Sequence, residues 1–228
     1  MAIDFRIVSI GALAAHPLWD ERSAVRTGHA TTSLVRSGKV TLLIDPALPT
    51  PALTARLHER ANLAAAEITH VFLTSFKPDA RRALDAFEDA VWWISEAERE
   101  SMGSRLIAAL KEAQERDESE IASALERDIA LLRRCKNAPD SLADHVDLFP
   151  LPGVTPGMCG VLLEQPRHTT VICGDAIPTI EHLEAGAILP NAADLALAQR
   201  SFGDALEVAD LLVLGRDNVV VNPTRRPF

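Results

Sequence analysis

Cysteine is scarce: the 228-residue chain has three, Cys135, Cys159 and Cys173, with no CxxC spacing among them. An odd count without paired spacing gives neither a disulfide framework nor a thiolate zinc site, so the three read as small buried hydrophobes. No apolar run approaches the roughly 20 residues of a membrane-spanning helix. The apolar stretch IVSIGALAA near the start is interrupted at its flank by Asp4 and Arg6. It reads as a first strand rather than the core of a leader, which points to a cytoplasmic protein. Basic residues are outnumbered, 23 Lys and Arg against 32 Asp and Glu for a formal charge of -9, so nonspecific nucleic-acid binding is disfavoured. Such binding needs an excess of cations to neutralise phosphates. The chain also lacks internal repeats, low-complexity tracts and a G-x-S-x-G elbow.

What is present is a core-forming composition. Hydrophobic residues make up 47% of the chain, which suits one large globular domain spanning residues 1–228. DFRIVSIGAL, ATTSLVRSG and KVTLLID are strand-like, with Ser37-Gly38 as the turn between the last two. ALTARLHERANL has a helical pattern, with Leu53, Leu57 and Leu63 roughly on one face. ITHVFLTS reads as a buried strand, and Pro78 is suited to the first turn of a helix through ARRALDAF. VWWIS is another strand. Trp19, Trp92 and Trp93 are expected to fill the core or a pocket wall.

From about Ser95 to Asn137 the pattern changes to helix formers rich in charge. Leu106, Leu110 and Ala113 mark one stripe, and Ile121, Leu125, Ile129 and Leu132 a second, around a polar middle. The segment reads as a helical hairpin or one long helix. It is expected to rest on its own domain, with a lid or a homo-oligomer contact as alternatives. VDLFPLPG, CGVLLEQ and TTVICGD then follow as strands, and ADLALAQRSFGDALEVA as a helix leading into a last strand, LLVLG. Two strand groups, each with helices, suggest stacked sheets flanked by helices.

Four segments in this order carry a resemblance: SLVRSGKVTLLIDPALP, ITHVFLTSFKPDARRAL, FPLPGVTPGMCGVLLE, and VICGDAIPT with the later ADLLVLGRDN. They resemble, respectively, the opening hairpin, the T-H-x-H-x-D-H segment, the P-G-H-T-P-G segment, and the bridging-aspartate and G-H-D turns of metallo-β-lactamase-fold hydrolases. The resemblance extends over nearly the whole chain and implies an α/β fold, a four-layer αββα sandwich with a helical insertion at about 95–137. In that family histidines and two aspartates hold a pair of metal ions, usually zinc. Here Ser75, Lys77 and Ala80 stand at the histidine positions of the first motif, Val154 at that of the second and Arg216 at that of the last, while Asp79 and Asp175 keep the carboxylates.

Neutral imidazoles leave a cationic zinc able to lower the pKa of bound water to about 7. Ala and Val are not ligands, and Lys77 and Arg216 would repel the ion. At an effective dielectric near 20, unit charges about 4 Å apart cost roughly 4 kcal/mol, and a divalent ion doubles that. The resemblance therefore implies a member without the dinuclear centre, its lost metal charge replaced by Lys77 and Arg216 beside Asp79 and Asp175. No metal cofactor is expected; the alternative is a weakly bound divalent ion on the two carboxylates, or a relocated site drawing on His29 or His182. The expected ligand pocket comprises Ser75, Lys77, Asp79, Asp175 and Arg216, with Thr179, His182 and Asn218 at its rim. Its ligand would be small and polar or anionic. The function expected is ligand binding or scaffolding without hydrolysis. The alternative is an esterase, lactonase or phosphodiesterase with an altered metal site. Ser75 lacks a neighbouring histidine and reads as a turn residue.

Overall fold

Within Val40–Ile44 successive side chains enter two different cores: Leu43 packs with Leu34, Val71 and Leu73, while Leu42 and Ile44 pack with Val35 and Phe72. Period-two alternation sends neighbours to opposite faces, so a strand buried on both sides belongs to the middle of a stack. The computed structural model describes residues 3–225. Its first sheet holds β1 (Asp4–Ser9), β2 (Thr32–Ser37), β3 (Val40–Ile44), β4 (His70–Leu73), β5 (Val91–Ile94) and β6 (Lys136–Asn137), neighbours in chain order. The second holds β7 (Ser141–Ala143), β8 (Val146–Pro150), β9 (Cys159–Gln165), β10 (His168–Ile172), β11 (Leu211–Val213) and β12 (Val219–Val221), again in chain order.

Parallel pairs need a crossover, and α-helices supply it for all but β4–β5, whose connection runs through turns and a 3₁₀ segment. α1 (Thr50–Ala61) joins β3 to β4; α2 (Glu96–Glu115) and α3 (Ser119–Arg134) join β5 to β6; α4 (Ile180–Ala185) and α5 (Leu195–Val208) join β10 to β11. Between the sheets, Ile44 and Phe72 meet Val161, Leu163, Ile172 and Val213. Leu53, Leu57, Leu106 and Leu132 cover the outer face of the first sheet, and Leu183, Phe202 and Ala205 that of the second. The expected four-layer αββα sandwich is what the chain adopts. Among the described residues no helix is long and apolar enough to cross a membrane.

The helical stretch is a hairpin, broken at Arg116–Glu118 where Asp117 takes φ 56°. Its buried stripe rests on Trp92 and Ile94 of the same sheet, and Ile107 and Ile121 stay exposed.

Three local expectations change. Ser37 pairs with Val40, so the hairpin turn is Gly38-Lys39, with the left-handed φ of 59° falling on glycine. No α-helix follows Pro78. The Asp79 carbonyl that would accept from Ala83 accepts from Ala30 N–H at 3.0 Å, and Ala83 N–H donates to Pro46 O at 2.9 Å. With both halves of that bond diverted, only turns and a 3₁₀ segment at Leu84–Phe87 remain. Trp19 is 53% exposed and stacks on His16 rather than filling the core.

Candidate functional site

β3, β4, β10 and β11 deliver the site residues at one end of the sandwich: Asp45 follows β3, Ser75 to Asp79 follow β4, Asp175 follows β10 and Arg216 follows β11. Asp45, at φ 50°, accepts from Thr74 N–H at 2.9 Å and from the Thr74 hydroxyl at 2.7 Å, tying β3 to the start of the β4 loop. Burial pushes its carboxyl up to about 7, with the two Thr74 bonds opposing. Gly174 takes φ 52°, and a Cβ added at Gly215 would lie 2.2 Å from Gly174 O. Glycine at both positions lets the two strand ends approach closely, setting Asp175 beside Arg216.

There the charges form a row of alternating sign. Lys77 Nζ donates to Asp175 Oδ2 at 2.8 Å. Arg216 donates through Nε to Asp175 Oδ1 at 2.7 Å and through Nη2 to Oδ2 at 2.8 Å. Its Nη1 reaches Asp79 Oδ2. The Asp175 and Arg216 side chains are each 4% exposed, Lys77 24% and Asp79 33%. Burial alone would raise the Asp175 pKa, but the Arg216 guanidinium and Lys77 ammonium outweigh it and hold the carboxyl well below the usual range. Burial would likewise lower the Arg216 pKa, and Asp175 and Asp79 reverse that, so the guanidinium is charged at any working pH.

These residues do not fit a dinuclear metal centre. Both lone-pair-bearing oxygens of Asp175 already accept from cations, and one oxygen of Asp79 does. At the other motif positions Ser75 is buried, Ala80 packs with Ala30 and Ala47, and Val154 sits in the core beneath α5. Among the described residues no group of three or more His, Cys, Asp or Glu side chains is arranged to hold a metal ion. His29 faces the carbonyls of Ile10 and Thr27, whereas His182 is fully buried against the Thr179 hydroxyl at 2.8 Å. They do not form one site.

A cleft of about 390 Å³ opens over the charge row. Lys77, Asp79, Asp175 and Arg216 line it; Ser75, Thr179, His182 and Asn218 do not. Thr179 caps α4 and contacts both His16, at 3.1 Å, and His182. Burial and the neighbouring His16 lower the His182 pKa. Asn218 is exposed, its side chain accepting from Val219 N–H at 2.8 Å.

Leu13, Ala14, Ala15 and Pro17, which wall the cleft, and Glu21 carry no motif or periodicity that marks them as site residues. Glu21 accepts from His16 N–H at 2.7 Å and pairs with Arg26, which lowers its pKa. Glu98 was also missed. It is wholly buried and accepts from Phe76 N–H at 3.0 Å, Thr155 Oγ at 2.7 Å and Gly157 N–H at 3.2 Å, linking α2 to both motif loops. Ser95-x-x-Glu98 is a capping-box spacing, which marks a helix start but not this distant use of the carboxylate. The cysteines are buried, and burial raises the thiol pKa of Cys135 to about 11 and of Cys159 to about 12.

A family model described as the metallo-beta-lactamase superfamily matches residues 25–215. Among solved structures, a Thermotoga maritima protein described as a candidate metallo-beta-lactamase superposes with TM-score 0.70 at 17% identity, covering 97% of this chain and 100% of its own. A Staphylococcus aureus protein described as a candidate metal-dependent hydrolase gives TM-score 0.69 at 15% identity, covering 96% and 92%. AidC, described as a dizinc quorum-quenching lactonase, gives 0.60 at 20% identity over 78% of this chain and 67% of its own. No curated protein sequence matches the chain.

Proposed function

The chain belongs to the metallo-β-lactamase superfamily, and from that premise we propose that it is a non-hydrolytic member whose cleft binds a small polar ligand without metal. One observation carries the reading: Asp175, at the bridging-aspartate position, is held by Arg216 through two bonds and by Lys77 through a third. A zinc ion entering there would displace buried charge-assisted hydrogen bonds and meet two cations at close range. Among the described residues, Ser75 is buried without a side-chain hydrogen bond to His, Asp or Glu and all three thiols are buried, which supports a site without an activated side-chain nucleophile. Recognition is the chemistry left to a cleft of this size, lined by charged groups on one side and by Leu13, Ala14 and Ala15 on the other.

AidC's description as a dizinc lactonase defines the activity to test. The purified chain, stripped of metal and then supplied with zinc or manganese, is assayed on a lactone, a carboxylic ester and a phosphodiester. No metal-dependent turnover of any of the three is expected. Turnover that a chelator removes and zinc restores would overturn the proposal.

A further inference from the structure

Of the four charges in the row, the inner two satisfy each other and the outer two do not. Asp175 and Arg216 are buried, and both Asp175 oxygens are engaged; Lys77 and Asp79, of opposite sign, are the partly exposed ends. Lys77 uses one of its three N–H donors, on Asp175, and among the described residues no donor reaches Asp79 Oδ1. Both ends line the same cleft. We infer that this cleft recognises a small zwitterion, its carboxylate on Lys77 and its ammonium on Asp79, with an aliphatic group against Leu13, Ala14, Ala15, Pro17 and Leu189. The inference rests on the metal-free reading of the same cleft.

Charge selects this class over simpler ones. A phosphate or carboxylate approaching Lys77 also meets the Asp79 carboxylate, and an amine approaching Asp79 meets Lys77 and Arg216. Glu21, the remaining acid of the lining, is already satisfied by Arg26 and by His16 N–H. A ligand carrying both charges completes the alternating row by adding one charge-assisted bond at each end. The apolar wall then favours an aliphatic over a hydrophilic remainder.

The test is calorimetric titration of the full-length, metal-stripped chain with L-alanine, L-valine and L-leucine. The controls are 4-methylpentanoate, 3-methylbutylamine and inorganic phosphate. At least one amino acid is expected to bind about tenfold or more tightly than either half-charged analogue of leucine. Lys77→Gln and Asp79→Asn should each remove that preference. Ala15→Trp, which fills the wall and leaves the charge row intact, should abolish binding with the melting temperature retained. Absence of binding by all three amino acids, or equal binding by 4-methylpentanoate or phosphate, overturns the inference and leaves the metal-free reading standing. Stoichiometric zinc uptake by the same preparation overturns that reading instead, and the zwitterion site with it.

Discussion

Arg216 grips Asp175 with two parallel bonds, Nε to Oδ1 at 2.7 Å and Nη2 to Oδ2 at 2.8 Å, both side chains 4% exposed. A bidentate pair shut away from water is costly to break, since the surviving charge has nowhere to solvate.

Arg216→Ala strands Asp175 with Lys77 as its only cation and frees Asp79. It should cost about 3–5 kcal/mol, read as a fall in melting temperature of about 10 °C for a chain of this length. Lys77→Ala removes a single bond from a side chain 24% exposed. Water can replace it, and the expected loss is about 1 kcal/mol or less. Equal losses for the two variants, measured by thermal or urea unfolding, would contradict the division into a structural centre and available ends.

Asp45 gives a pH dependence of stated sign. Its folded carboxyl titrates at about 7 because of burial, against about 3.9 in the unfolded chain. A raised pKa means that the stabilising contribution is complete below about pH 3.9 and is lost as pH rises through about 7. Asp175, held low by its cations, has the opposite sign and loses its contribution as pH falls below about 4. Asp45→Asn keeps an acceptor for Thr74 N–H and tolerates the left-handed backbone. It should raise stability on the alkaline side, by up to roughly 4 kcal/mol, and leave it little changed near pH 4. Parallel unfolding curves for wild type and variant from acid to alkaline pH would contradict this assignment.

Glu98→Gln swaps an all-acceptor group for one with an NH₂. With its oxygen on Thr155 and Gly157, the amide presents a donor to the Phe76 N–H, which is already a donor. One buried bond is lost, at about 1–3 kcal/mol. Hydrogen exchange should quicken at the amide of Phe76 specifically, because that N–H loses its acceptor while Thr155 and Gly157 keep theirs. Unchanged protection there would remove Glu98 from this role.

Leu132 lies in the core beneath the helical hairpin at 5% exposed, and Ile107 stands 49% exposed on the same hairpin. Leu132→Ala should cost about 2–4 kcal/mol, whereas Ile107→Ser should stay within about 0.5 kcal/mol. Chemical denaturation of the two variants checks the pair.

Most of the sandwich was legible because its signals are local. The apolar run KVTLLID becomes β3, and the periodic stripes of the charged stretch survive into α2 and α3 with Leu106, Ala113 and Leu132 buried, although Ile121, expected on the second stripe, is exposed. The helix expected after Pro78 failed for a reason outside its own sequence, since Ala30 and Pro46 take the bonds it needed. Short β6, β7 and β12 carry too few residues to show a period. At the site, Lys77, Asp79, Asp175 and Arg216 could be named from motif positions. Thr179, His182 and Asn218 were near in sequence but turn into a helix cap, a buried core position and an exposed loop. The Leu13–Pro17 wall and Glu98 reach the site only through long-range packing, which leaves no periodic trace.

Zinc titration of the metal-stripped chain by calorimetry tests the fixed-cation centre most directly. With Arg216 and Lys77 holding Asp175, no stoichiometric binding is expected, and Lys77→His with Arg216→His should be required before any zinc is taken up. Stoichiometric, micromolar or tighter binding by the unaltered chain, with Asp175 released from Arg216, would contradict it.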